Sequence, residues 1–310
     1  MNKPYKIAVQ FFGHLRTFEK CAPSIKKHLL SKFDCDVFMH TWSDTEHSTQ
    51  TWHNSKSKIK SVSQSMINKI EAIYNPKMML VEKQLLPEND NLIACLHNNH
   101  AKTISANGMK FMLKSQIKVN ELRKQYAKKN NIKYDICLVL RPDIFMFADL
   151  DINKIIHQCI TTIDYPARFC ASNALKKSSS CSFISDILSD VFFMAKPNDM
   201  DLIMQTFESV RFEKYKDKMW TPESLITNIL FKNGIATLPI FYFFNRDFDI
   251  IRGSFDAKEK RRRFIRFKLT HKLLRLNLFS GLKQNILSWN FSLFNLFNID
   301  FSIGRPYAKC

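Results

Sequence analysis

The chain has 310 residues and a formal charge of +19, with 45% hydrophobic residues, enough for one large or two modest domains with a full core. Six Gly argue against Gly-rich phosphate loops and flexible linkers, and eight Cys without a C-x-x-C pair argue against a zinc ribbon or thioredoxin-like motif. The 47 Lys and Arg against 28 Asp and Glu attract polyanions, but ten of the nineteen excess charges fall in residues 257–310, so the basic character belongs largely to a tail.

The first residues are polar and lack the apolar run of a secretory signal, and no 18-residue apolar window is present. Lys6 to Phe12 reads as a buried strand, stopped at Gly13 and followed by the tight loop Gly13-His14-Leu15-Arg16-Thr17. A helix is predicted from about Phe18 to Ser31 and a second strand over Asp36–Trp42. Strand, helix and strand at this spacing form a βαβ unit, the building block of a parallel sheet.

The polar stretch 43–58 reads as a loop, Pro76–Glu82 as a third strand and Pro87–His100 as another polar loop. Apolar residues at helical spacing from Met109 to Tyr126 predict a helix over Asn107–Asn130, with Lys128 and Lys129 suited to its negative end. Asp135–Leu140 is a buried strand, followed by Arg141-Pro142-Asp143, a second apolar run and Asp149-Leu150-Asp151. Asp190–Pro197 reads as a strand and Asn198–Val210 as a helix. Thr221-Pro222-Glu223 opens another helix, with Thr as cap and Pro in the first turn. Ile235–Phe244 is a late strand, broken at Asn245-Arg246-Asp247.

The chemistry concentrates where buried strands end. Open α/β folds bind ligands at the carboxyl edge of the sheet, and Asp143 and Arg141 are delivered there. A carboxylate at that edge can hold a divalent cation bridging a diphosphate; an Arg can grip a phosphate by its fork. The bland alternatives are a turn-capping Asp143 and an Arg141 ion pair with Asp149 or Asp151. His14 and Arg16 follow the first strand. His40 and Trp42 end the second, where a Trp is more often core than stacking platform. Asp44, His47 and His53 in the 43–58 loop match no common zinc spacing, and His97 and His100 are equally weak.

At this point the chain resembles bacterial glycosyltransferases of the GT-A type that build lipopolysaccharide and capsule. The likeness rests on Gly13–Thr17, Asp36–Trp42, Arg141-Pro142-Asp143 standing where the family carries D-x-D, Ser189-Asp190-Val-Phe-Phe, and Thr221-Pro222-Glu223. It covers roughly residues 5 to 250. The resemblance implies an α/β catalytic domain over 1–255, with a mostly parallel sheet flanked by helices. It further implies a nucleotide-sugar donor and a lipid-linked glycan acceptor. Donor binding falls to His14, Arg16, His40, Arg141 and Asp143, and the general base to Glu223, with Asp190 as the alternative. Mn²⁺ or Mg²⁺ would sit on Asp143. Because the first Asp of D-x-D is replaced, a metal-free mode in which Arg141 and Arg16 neutralise the leaving diphosphate stands beside it.

Residues 256–310 read as a basic, aromatic-rich helical appendage. Lys258 to Phe297 mixes Lys and Arg with Phe264, Phe267, Trp289, Phe291 and Phe294, which suits an interfacial helix on anionic lipid. The alternative is a solvated basic helix packed on the body. The expected location is cytoplasmic, peripheral on the inner face of the cell membrane. The rival classes are a nucleic-acid-binding protein acting through the tail, and a transferase of another phosphate-linked group on the same fold. No RRM, KH or zinc-finger pattern is present, so nucleic acid is not the expected partner.

Overall fold

The computed structural model describes residues 5–46, 59–85, 92–97, 100–153, 155, 169–173, 190, 192–211, 226–228, 230–231, 233–240 and 247–251. The tail, Glu223, His47 and His53 lie outside the described residues.

The strands are β1 (Lys6–Phe11), β2 (Asp34–Trp42), β3 (Met78–Glu82), β4 (Leu92–His97), β5 (His100–Ser105), β6 (Ile136–Leu140), β7 (Ile144–Met146), β8 (Phe169–Asn173), β9 (Phe192–Ala195), β10 (Ala236–Ile240) and β11 (Phe248–Ile250). The principal helices are α1 (Phe18–Ile25), α2 (Gln64–Tyr74), α3 (Asn107–Asn130) and α4 (Pro197–Glu208). The principal sheet has the order β10-β8-β9-β6-β1-β2-β3. β3, β2, β1 and β6 are parallel neighbours, and β9 runs antiparallel to both β6 and β8. The molecule is thus an α/β fold on a mostly parallel, mixed sheet, as the βαβ spacing predicts.

Alternation along the central strands sorts side chains into two cores. Ile7, Val9 and Phe11 of β1 join Ile136, Leu138 and Leu140 of β6 in one, beneath α1 and α2. Ala8 and Phe12 join Cys137, Val139 and Phe193 in the other, beneath α3 and α4. Truncating a fully buried side chain such as Leu138 removes about 2–5 kcal/mol in sites of this kind. The buried thiols of Cys21 and Cys137 are both pushed up to about 12 by desolvation, so they stay protonated and inert.

Local sequence explains the element ends. Pro23 lies within α1, lacks an N–H to donate, and is followed by a π-helical turn over Lys26–Leu30. Together these fill most of the predicted Phe18–Ser31 helix. Asn75 and Asn131 end α2 and α3 in the left-handed conformation that Asn tolerates. One expectation is corrected. Within Pro87–His100, expected as loop, Leu92–His97 is a strand that pairs antiparallel with β5. The break at Asn245-Arg246-Asp247 is followed at once by β11, which pairs with β7.

The topology also sets where the strands end. From β1 the chain steps through β2 to β3 along one side, then returns by α3 to β6 on the other side of β1. β1 and β6 therefore flank the point where strand order reverses. Ligands bind in the crevice outside the carboxyl ends of the strands at such a point.

Candidate functional site

Gly13–Thr17 leaves the end of β1, and Arg141–Asp143 leaves the end of β6. Phe11 pairs with Leu140 in register, so the two loops emerge side by side. Phe192 at the start of antiparallel β9 pairs with Leu140, which puts Asp190 at the same edge. Gly13 has φ 88° and Arg16 φ 45°, so the first loop is held in backbone conformations that strain a non-Gly residue at Arg16.

Asp143 is fully buried. Its Oδ1 accepts from Arg141 Nε at 2.8 Å, and its Oδ2 accepts from Arg141 Nη2 and from Arg16 Nη1, the latter at 3.4 Å. Arg16 Nε also donates to Glu46 Oε1 at 2.9 Å and Oε2 at 3.0 Å. A backbone bond from Arg16 N to Thr45 O, at 3.2 Å, fastens the loop to the stretch after β2. The turn of Asp143 is clamped from behind, where Ile251 N donates to Asp143 O at 2.8 Å.

Electrostatics follow from this geometry. Burial works against the charge on Arg141, but the carboxylate of Asp143 outweighs it and drives its pKa up. Arg16 shifts downward, from burial and from the neighbouring Arg141; as a guanidinium it remains charged at neutral pH. His14 is buried beside both, and its pKa falls to about 4 through desolvation and the field of Arg16. The imidazole is therefore neutral at pH 7. Its Nδ1–H donates to Asp44 O at 2.8 Å, which fixes the tautomer. Asp190 adds to the field that keeps Arg141 protonated.

As placed, Asp143 does not fit the cation role. Both of its oxygens accept from guanidinium groups whose positive charge would face the ion. The ion-pair alternative for Arg141 is corrected as well. Its partner is Asp143 itself, whereas Asp149 pairs with His28 at 2.7 Å and Lys32 at 3.4 Å.

Of the residues singled out by sequence, His14, Arg16, Arg141, Asp143 and Asp190 come together. His40 ends up one layer deeper. It is fully buried, with Nδ1 at 2.7 Å from Ser115 Oγ and Nε2 at 2.9 Å from Glu82 Oε2. Trp42 is core, packed edge-on against His40 and Phe111 with Lys114 Nζ 5.8 Å from its ring. His97 and His100 are register partners at one end of the antiparallel β4–β5 pair. Glu46, Glu82 and Ser115 escaped the sequence reading; only the acidic character of Glu46, four residues after Trp42, was a signal.

The arrangement can do one thing well. Two buried guanidiniums, held by carboxylates at adjacent strand ends, can exchange those carboxylates for phosphate oxygens of similar geometry. The chain matches no protein-family model and no curated protein.

Proposed function

We propose that the chain is a GT-A-like glycosyltransferase that moves a sugar from a nucleotide-sugar donor to a lipid-linked glycan acceptor in lipopolysaccharide or capsule synthesis. The observation that carries this is the convergence of Arg16 and Arg141 on one carboxylate at the reversal point between β1 and β6.

In transfer, the bond between the sugar's anomeric carbon and the donor's phosphate oxygen breaks, and that oxygen keeps the electron pair. The acceptor hydroxyl oxygen bonds to the anomeric carbon, and its proton passes to a carboxylate. Charge grows on the departing diphosphate, and the largely buried Arg16 and Arg141 would stabilise it there more strongly than in bulk water. Their occupation of both Asp143 oxygens favours the metal-free mode over a Mn²⁺ or Mg²⁺ site. The neutral His14 adds no competing charge. Glu223 is the candidate general base, and Asp190, two residues before β9 at the same edge, is the alternative. The basic segment 258–297 would hold the enzyme peripherally on an anionic membrane face, close to lipid-linked acceptors. Among the described residues no helix is long and apolar enough to cross a membrane.

The test is calorimetric titration with UDP-, GDP-, CMP- and TDP-sugars, with and without Mn²⁺. One nucleotide class should bind selectively without requiring metal. Arg16→Lys keeps the charge but loses the planar fork that also holds Glu46 and Asp143, so Tm should drop somewhat and affinity should fall about tenfold in the folded variant. A folded wild type that binds nothing across the panel would overturn the reading.

A further inference from the structure

The loop carrying His14 and Arg16 is tied down by a hydrogen-bond chain that reaches through three other elements. Gly13 N donates to Ser115 Oγ of α3 at 2.8 Å. Ser115 Oγ lies 2.7 Å from His40 Nδ1 of β2, and His40 Nε2 lies 2.9 Å from Glu82 Oε2 at the end of β3. Ser115 and His40 are both fully buried.

Proton counting allows one arrangement. Glu82 is held ionised: burial opposes its charge, but the hydrogen bond from His40 outweighs this and lowers its pKa. An ionised carboxylate only accepts, so His40 Nε2 carries the hydrogen. Desolvation holds His40 neutral, which leaves Nδ1 a bare lone pair. The Ser115 hydroxyl must then donate to Nδ1, and its oxygen accepts from Gly13 N–H. Every donor points the same way, from Gly13 towards Glu82. Such a chain polarises each member in turn and strengthens the last bond, the one on Gly13.

Gly13 takes φ 88°, which Gly adopts freely, but Arg16 is held at φ 45°, which a non-Gly residue does not favour alone. The Gly13 amide lies two residues after β1 and three before Arg16, so fixing it fixes the start of the loop. We infer that Ser115, His40 and Glu82 are positioning residues, which lock Gly13 so that Arg16 is aimed at the donor's diphosphate. His40 thereby acts through the loop instead of touching the donor. This rests on the donor-site reading above.

The experiment measures affinity for the nucleotide diphosphate that the wild type selects, together with the Gly13 amide proton shift by NMR. Ser115→Ala removes the acceptor and should weaken binding about tenfold while the Gly13 amide moves upfield. Glu82→Gln, at a partly exposed position, keeps size but removes the carboxylate charge that anchors the chain and fixes the His40 tautomer. It should shift the Gly13 amide in the same direction and weaken binding about threefold, and it covers the case in which Ser115→Ala does not fold. A wild type that binds no nucleotide sinks the donor-site reading and the positioning role together. Normal wild-type binding with unchanged affinity in the folded variants sinks the positioning role alone.

Discussion

Two buried networks of charge and amide groups lie at β1, and they differ in what holds them. At the carboxyl edge, Arg16, Arg141, Asp143 and Glu46 sit on loops, with positive φ at Gly13 and Arg16. Below the sheet, Gln10 Nε2 donates to Asn120 Oδ1 at 2.9 Å, Asn120 Nδ2 donates to Asp201 Oδ1 at 2.7 Å, and Arg123 pairs with Asp201. That second network uses regular positions of β1, α3 and α4 and fastens the two helices to each other. A charge cluster on regular elements serves packing. One on loops at a strand-order reversal, with Arg16 in a left-handed backbone, stands where open α/β folds bind ligands. The contrast sets a helix-fastening network against a candidate site.

Breaking the edge should show the largest effect. Arg141→Ala leaves the fully buried Asp143 without its bidentate partner and should cost about 3–5 kcal/mol in chemical denaturation. Nucleotide binding should be lost with it. A near-normal stability would mean that Asp143 is far less dependent on the pair than its burial requires.

Acid should loosen the same edge. His14 has its pKa lowered to about 4 in the fold, against an ordinary value of 6.5. The unfolded chain therefore binds the extra proton first. The stability from a neutral His14 is complete above about pH 6.5 and is lost as pH falls towards 4, by roughly 3 kcal/mol at most. His14→Gln should flatten that part of the Tm-against-pH curve, and the His14 ring resonance should titrate near pH 4. A midpoint near 6.5 would mean that the imidazole is not shielded beside the two guanidiniums.

The second network should respond differently. Asp201→Ala removes the partner of Arg123 and should destabilise by about 1–3 kcal/mol, with nucleotide affinity unchanged. A matching fall in affinity would erase the distinction between the two regions.

Legibility in the sequence followed the same division. β1, β2, β6 and β9 stand out as apolar runs because both faces of these central strands are buried, the antiparallel β9 included. β4 did not, since its short apolar run Leu92–Leu96 is bordered by polar residues that dominate any window laid over it. Arg16, Arg141 and Asp143 could be picked out because a polar residue directly after a buried strand must lie at the sheet edge. Ser115 could not be found that way. It is a small polar residue within a long amphipathic helix, and its partners Gly13 and His40 lie 102 and 75 residues away.

The sequence by itself determined most strands of the central sheet, β8 excepted, and which polar residues stand at the ends of β1 and β6, because an apolar run and the strand-to-loop break are local properties of the chain. Only the tertiary structure decided who pairs with whom: that β6 lies beside β1, that Asp143 is claimed by two guanidiniums, and that His40 turns inward to Ser115. Those outcomes depend on strand order and on α3 crossing the sheet, and contacts at such separations leave no periodic trace in the residues that make them.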